Sequence, residues 1–287
     1  MPGLRNIRFK VPSVVVLSIE HFPRILVSWE LEPTAQNLGC LKFFVDRGES
    51  PSEFQELTKE GIPYSSPHEF IDETPITQDL NKVYYYRVRA VEFVNGTPVQ
   101  TFASEASTWD GNLDLVGLYI VEEHLFALRH VYGVPAMIFK KRRDGAYCTE
   151  CWDDVLKRIT KSSCRTCYGT GRVGGYYPPI DAWMHFEPDP HSEGVAEWGR
   201  RQASQTDIQF TNYPLLSPDD LIVELKLNRF WKVVNVRAPE KNRTTILQMA
   251  RLDAVNPSDI EYKIQIPEER RLLMLKEEDE REEEREF

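Results

Sequence analysis

Four of the five cysteines in this 287-residue chain stand in two i, i+3 pairs, Cys148-Thr-Glu-Cys151 and Cys164-Arg-Thr-Cys167, separated by twelve residues. A thiolate pair at that spacing can take one side of a tetrahedral ion, and a second pair completes the shell. The residues after Cys167, Tyr-Gly-Thr-Gly, suit a knuckle in which backbone N–H groups turn toward the sulfurs, a turn that often needs positive φ. Cys148, Cys151, Cys164 and Cys167 are therefore read as a closed structural zinc site. Two disulfides, or free buried thiols, are the competing readings. Four sulfur ligands leave no open coordination position, so such a site speaks for structure and against catalysis. Nothing else in the sequence carries catalytic chemistry: there is no P-loop, no GxSxG, no HExxH and no paired-carboxylate motif. His124 and His130, six apart in a predicted helix, fall on different faces. His185, His191 and Glu193 repeat no ligand spacing. Cys40, far from the other four, reads as a small buried core residue.

Composition bounds the rest. The length allows two domains or three small ones, and 41% hydrophobic residues suffice for their cores. No run approaches the ~18 apolar residues of a membrane span. The start, Met-Pro-Gly-Leu-Arg-Asn, has no apolar stretch of the signal-peptide kind, so a reducing compartment is expected, where thiolates stay free for zinc. The net charge of −10 disfavours general duplex binding, which draws on Lys and Arg. Much of that charge is local, however, because Glu277–Glu286 holds eight acidic residues and two arginines.

The elements that must position the knuckle are mostly strands. Residues 11–109 contain short β-branched and aromatic runs, among them Ser13-Val-Val-Val-Leu-Ser, Arg24-Ile-Leu-Val-Ser-Trp-Glu, Leu41-Lys-Phe-Phe-Val-Asp-Arg and Tyr84-Tyr-Tyr-Arg-Val-Arg-Ala-Val. In the last, Tyr84, Tyr86, Val88 and Ala90 alternate with Tyr85, Arg87 and Arg89, the period of a half-exposed strand. Asn95-Gly96 offers a tight hairpin turn. Several such strands predict a β-sandwich. Trp29 within Val-Ser-Trp, Tyr84 heading a Tyr-x-x-Arg-Val-x-Ala strand, and the closing Ser104-Glu-Ala-Ser-Thr resemble the fibronectin type III family. That resemblance implies a non-catalytic spacer or adhesion module, with Trp29 as its core tryptophan and Tyr84 as its corner tyrosine.

From Asp114 to Tyr132 the period changes. Leu118, Val121, Leu125, Leu128 and Tyr132 form one apolar stripe of a helix, with Asp114 as N-cap, Gly133 as C-cap and Pro135 beyond. Tyr119, Ile120 and Phe126 widen the apolar surface, so this helix is expected to pack on two sides or against another subunit, with Leu118, Leu125 and Leu128 as contacts. A strand, Ala136-Met-Ile-Phe-Lys, and a basic cluster, Lys140-Lys-Arg-Arg, complete a linking segment over 110–145. The cluster reads as a solvated turn, or else as a patch for phosphate or an acidic neighbour. The zinc knuckle occupies 146–174, and Trp152–Ser163 is expected to form a short helix or hairpin over the metal. Cys164-x-x-Cys-x-Gly-x-Gly resembles one repeat of the cysteine-rich domain of J-domain co-chaperones, but only one complete repeat is present and no J-domain pattern accompanies it.

Residues 175–266 return to strands without intervening helices, which predicts a small antiparallel barrel or sandwich. Pro218-Asp-Asp and Leu227-Asn228 supply turns, and Pro188–Gln202 reads as an exposed loop. Over 267–287, Glu268-Glu-Arg-Arg-Leu-Leu-Met-Leu-Lys could make one or two helical turns before a charged run that is either a solvated helix end or disordered. Leu272, Leu273 and Leu275 are candidate anchors of a partner-docking arm. Residues 1–10 are a lead. The fold class is thus mostly β: sandwich, linking helix with zinc insertion, barrel and acidic tail.

Ser217-Pro-Asp-Asp-Leu-Ile-Val-Glu followed by Asn228-Arg-Phe-Trp-Lys-Val-Val-Asn-Val resembles a hairpin of tailed-bacteriophage neck proteins, the head-completion or stopper proteins between portal and tail. The helix, the Gly-Val-Pro-Ala-Met-Ile-Phe-Lys-Lys strand, the knuckle and Tyr176-Tyr-Pro-Pro-Ile are similar to structural proteins of that site. The resemblance implies a virion protein without enzymatic activity, assembled in the host cytoplasm as a ring-shaped homo-oligomer. Its partners would be portal or connector and tail or terminator proteins, with nonspecific contact to encapsidated DNA and none to membrane. Alternatives are a tail or baseplate subunit, and a zinc-ribbon nucleic-acid-binding accessory protein using Lys140–Arg143, Lys157, Arg158, Lys161 and Arg165. An extracellular adhesion protein is a third, at odds with the start of the chain.

Overall fold

A computed structural model describes residues 7–19, 22–32, 38–72, 84–108, 115–187, 195–196, 199–200, 205–241 and 244–285. The fold is mostly β, as expected. The expected N-cap Asp114 lies outside the described residues, as do His191, Glu193 and most of the Pro188–Gln202 stretch.

The first unit is a two-sheet sandwich. Strands β1 (Ser13–Ile19), β2 (Phe22–Ser28) and β6 (Glu69–Asp72) form one sheet. The other runs β4 (Glu53–Glu56), β3 (Leu41–Ser50), β7 (Tyr85–Val94), β8 (Thr97–Ala103), with β5 (Ile62–Pro63) on β3 and β9 (Ser107–Thr108) on β7. Alternation along β7 puts Tyr86, Val88 and Ala90 inside and leaves Tyr85, Arg87 and Arg89 half-exposed. The inner residues meet Ile25 and Val27 of the facing sheet around Trp29 and Phe43. Asn95 and Gly96, both at positive φ, make the β7–β8 turn. The buried tyrosine is Tyr86, not Tyr84: its Oη donates to the buried Asp72 at 2.8 Å, while Tyr84 is half-exposed beneath the Arg47 guanidinium. Period-2 parity puts both on one face; Tyr86, deeper in the sheet, is fully buried, and Tyr84 packs against the edge of the same core. Cys40 is only half-buried at the entrance to β3, where loss of solvent raises its thiol pKa.

The second unit is a closed six-stranded antiparallel barrel. Its order is β10 (Val134–Phe139), β13 (Ile180–Glu187), β16 (Gln205–Phe210), β21 (Gln248–Ala254), β18 (Arg229–Arg237), β17 (Leu221–Glu224). Between these lie the short hairpins β11 (Trp152–Asp153) with β12 (Arg158–Ile159), β14 (Val195–Ala196) with β15 (Gly199–Arg200), and β19 (Glu240–Lys241) with β20 (Thr244–Thr245). The strand expected in the linker, β10, closes the barrel by pairing with both β13 and β17. The barrel therefore begins at residue 134, and the knuckle is an insertion between its first two strands. Ala136, Ile138, Met184, Phe210, Ile222 and Leu252 fill the interior. Met137, Phe139, Leu221 and Val223 face outward yet are also buried, because the C-terminal segment covers them. A continuous apolar run is the mark of a strand buried on both faces.

Helix α1 (Leu115–Ala127) runs on as a π-helical turn, Leu128–Tyr132. Gly133 ends it with φ of −74°, so no left-handed cap forms. Glycine is needed for a different reason: a Cβ there would lie 2.2 Å from the Leu128 carbonyl oxygen, to which the Gly133 N–H donates. Leu118 packs into the sandwich core, and Val121 and Leu128 are also buried. Leu118 and Leu128 are thus occupied within the chain and are not surfaces for a partner; Leu125 is half-buried.

Helix α2 (Glu268–Arg285) extends well beyond the one or two turns expected and continues through the charged run. Met274 and Leu275 pack on the outside of the barrel, which takes Leu275 out of the partner-facing set, whereas Leu272 and Leu273 are exposed. Within the acidic run, Glu278 and Arg281 are buried. Arg281 donates to the carbonyls of Arg129 (3.1 Å) and Gly133 (2.8 Å) at the end of the π turn, and its guanidinium lies over Trp183. Glu278 accepts from Lys226 at 3.3 Å. These carbonyls have no helical partner, so the arginine satisfies acceptors that the fold would otherwise bury unpaired. Replacing Arg281 by Ala is expected to lower stability by about 2–4 kcal/mol and to release α2, with Arg281→Lys a poor rescue because an ammonium replaces Nη1 but has no planar guanidinium to lie over Trp183. Hydrogen exchange along residues 268–285, with urea unfolding, measures both effects.

Candidate metal centre

The four predicted cysteines converge. Their sulfurs all lie within 4.8 Å of one another, every side chain is buried, and none is in a disulfide. Cys148 Sγ is 3.6 Å from Cys164 Sγ, and Cys151 Sγ is 3.3 Å from Cys167 Sγ. A disulfide requires about 2.05 Å. A tetrahedral ion with metal–sulfur bonds of about 2.3 Å needs edges of about 3.8 Å, so the cluster is close to tetrathiolate dimensions.

Local structure explains the convergence. Between the two pairs the chain makes a hairpin, β11 against β12, rather than a helix. Asp153 Oδ1 accepts from the amides of Val155 (2.8 Å) and Leu156 (2.9 Å), which fixes the hairpin tip. The pairs are tied by Cys148 N–H to the Gly171 carbonyl and by Thr160 N–H to the Cys151 carbonyl. Burial raises the thiol pKa of Cys151 and of Cys167. At Cys164 burial also acts upward, but the backbone amides of Thr166 and Cys167 outweigh it and bring that thiol below its usual value; those of Gly169 and Gly171 turn likewise to Cys167. Amides aimed at sulfur stabilise thiolate, and a cation would deprotonate the rest. Tyr147 stacks on Trp152 at 4.0 Å with Arg172 3.8 Å above the Tyr147 ring, which covers one side of the hairpin.

The basic cluster is not a freely solvated turn, because each of its side chains is engaged within the chain. Lys140 pairs with the buried Asp220, Lys141 with Asp219 at 3.0 Å, and Arg143 donates to the Pro218 carbonyl. These acceptors belong to the predicted Pro218-Asp-Asp turn, so the alternative of an acidic neighbour holds, with the neighbour inside the chain. Arg142 donates to the Ser65 carbonyl of the sandwich and covers Tyr177.

A second buried polar group joins the two units. Asp144 accepts from Tyr64 Oη (3.0 Å) and Tyr177 Oη (3.2 Å), and His68 Nδ1 lies 3.1 Å from its other oxygen. His68 stacks on Trp29. Gly145 permits this approach, since at φ +93° a Cβ would fall 2.1 Å from Tyr64 Oη. Nearby, Tyr213 Oη donates to Glu69 at 2.9 Å, and burial raises that carboxyl's pKa. Sequence reasoning missed this cluster, because Tyr64 and Asp144 are far apart in the chain and carry no local motif. Around it lies a cleft of about 800 Å3 walled by the sandwich, the knuckle and the barrel.

Structure and site together define a mostly-β protein with a sandwich, a barrel and a four-cysteine cluster that could hold a metal ion. No protein-family model matches the sequence, and no curated protein is significantly similar to it. Among the described residues no helix is long and apolar enough to cross a membrane.

Two outcomes follow. Elemental analysis should find one metal equivalent per chain, lost in Cys164→Ser, with residues 146–174 becoming protease-sensitive; a metal-free chain with an intact knuckle would rule the site out. For Asp144, burial opposes ionisation, but the bonds from His68, Tyr64 and Tyr177 prevail and depress its pKa. Its contribution to stability is therefore present above the unfolded-state value of about 4 and is lost as pH falls through the lower folded value. Asp144→Asn should remove that acid-side dependence, and Asp144→Ala should cost about 3–5 kcal/mol, read by urea unfolding across pH 2–7.

Proposed function

We propose that this chain is a non-enzymatic structural protein of a tailed-phage virion, forming a ring in the neck between portal and tail, with zinc as the knuckle metal. The observation that supports it best is how the barrel is built. Its closed wall carries both a rigid insertion and a docked C-terminal helix, while the sandwich is held to the same frame by Asp144 and Arg142. Such a body presents surfaces in fixed relation and keeps no coordination position for a substrate. The His68–Asp144 pair fits the same reading, being buried with its imidazole stacked on Trp29. Zinc suits four buried thiolates and would supply on the order of 10–16 kcal/mol of apparent binding free energy. That exceeds what a knuckle with Ile159 as its neighbouring apolar contact can bury. Portal, tail or terminator proteins would be the axial neighbours.

One observation favours a second reading, a zinc-ribbon nucleic-acid contact. Lys157, Arg158, Lys161 and Arg165 are exposed on the knuckle. Against it, Lys140–Arg143 are already engaged inside the chain.

Mass spectrometry of purified particles, with density for the chain at the head–tail junction, is the deciding experiment. A chain absent from particles overturns the neck reading, and salt-sensitive binding to duplex fragments, with a slope reduced by Lys157→Glu, would promote the second.

A further inference from the structure

Helix α1 is apolar nearly all round, yet the fold covers only one side of it. Leu118, Val121 and Leu128 are buried, while Val116, Tyr119, Ile120 and Phe126 are not, with Tyr119 61% and Phe126 57% exposed. Spacing by three, one and six places the exposed four on one face, opposite the buried stripe. A soluble helix normally carries polar residues there. One carboxylate interrupts this face: Glu123, hydrogen-bonded by Tyr119. Past the end of α1, Glu277 of α2 pairs with Arg129 at 3.7 Å.

The knuckle presents the complement. Val155 is 90% exposed at the hairpin tip and Leu156 stands beside it, both held by Asp153 and by the β11–β12 pairing. Lys157 and Arg158 follow directly in the chain and Lys161 stands three residues on, all exposed, against the exposed carboxylates Asp154 and Glu150. Arg165 is left out of the balance, because a filled four-thiolate site beside it would draw on its charge. An ordered apolar tip followed by lysine and arginine thus matches an exposed apolar face that carries a carboxylate, Glu123.

The two cannot meet within one chain. α1 enters β10 at Val134, and the knuckle leaves it beyond Phe139, so they belong to opposite ends of a six-residue stave about 20 Å long. We infer that the knuckle tip of one copy, through Val155 and Leu156, docks on the Val116–Tyr119–Ile120–Phe126 face of a second copy of this chain. The contact is heterologous, each copy using one tip and one face, the geometry that builds rings or open chains. This rests on the ring-forming part of the proposed function and names the surfaces that would make it. A tip of this size buries less than the roughly 800 Å2 per partner of a stable pair, so association of two copies is weak and concentration-dependent.

The test uses two full-length variants, one with Val155→Asp and Leu156→Asp, the other with Ile120→Asp and Phe126→Asp. Both must retain the circular dichroism and metal content of the parent. Sedimentation velocity over a wide concentration range should show the parent associating and each variant weakened at least about tenfold. Mixing the variants should restore pairing that stops at a one-to-one dimer, since one retains the face and the other the tip. A parent that is monomeric throughout overturns the inference and assigns the face to a different chain. Association unchanged in both variants, or a mixture that does not pair, also overturns it. Because particle location is measured separately, a chain found in virions with these surfaces uninvolved leaves the neck reading standing.

Discussion

An excursion that starts and ends on neighbouring staves of one barrel is the constraint on which this structure depends. Residues 140–179 leave β10 and must return in register as β13, its antiparallel neighbour. Closing such a loop carries an entropic penalty that rises slowly with length, and ordering its residues adds about 1–2 kcal/mol each. The excursion is organised from both ends. At its base, Lys140 and Lys141 pair with Asp220 and Asp219, and the Arg142 N–H donates to the Gly175 carbonyl. At its far end, four cysteine sulfurs draw together two segments with little apolar material between them. A metal bound at that point would act on the strand register of the barrel as well as on the knuckle.

The same base also fixes the sandwich. Asp144 directly follows the basic run and reaches Tyr64 and His68, while Arg142 reaches the Ser65 carbonyl. The two units therefore share a polar joint built where the insertion begins. Each donor around Asp144 has an acceptor, and Gly145 supplies the backbone approach that a side chain would block. A buried, ionised carboxylate is tolerated only with this degree of satisfaction. The joint is specific, because a shift of the sandwich by one residue would strand the two donors it contributes, Tyr64 and His68, together.

How much of this was legible in the sequence depends on the range of each interaction. The cysteine cluster, the β7 alternation and the Asn95-Gly96 turn rest on spacings of a few residues, and all three appear as read. β10 was visible as a strand, yet not as a barrel stave buried on both faces, because its partners are 42 to 88 residues away. Tyr86 rather than Tyr84 fills the core because depth within a sheet is not a periodic property. Arg281 is the sharpest case. Within Glu-Glu-Asp-Glu-Arg-Glu-Glu-Glu it is indistinguishable from a solvated residue, and only the unpaired carbonyls of a distant π turn give it a role.

The anchoring of α2 changes what the acidic tail means. Eight of the chain's acidic residues lie in Glu277–Glu286, and a flexible tail would spread that charge over a broad volume. Held by Met274, Glu278 and Arg281, the helix instead runs on from the barrel wall and keeps that charge on one element. In a ring around DNA that end of the subunit has to lie away from the channel, because its field opposes phosphate at distances of about a Debye length, ~8 Å at physiological salt. The basic knuckle tip, at the other end of β10, is free of that restriction. In such a ring, polarity would follow from where one buried arginine holds one helix.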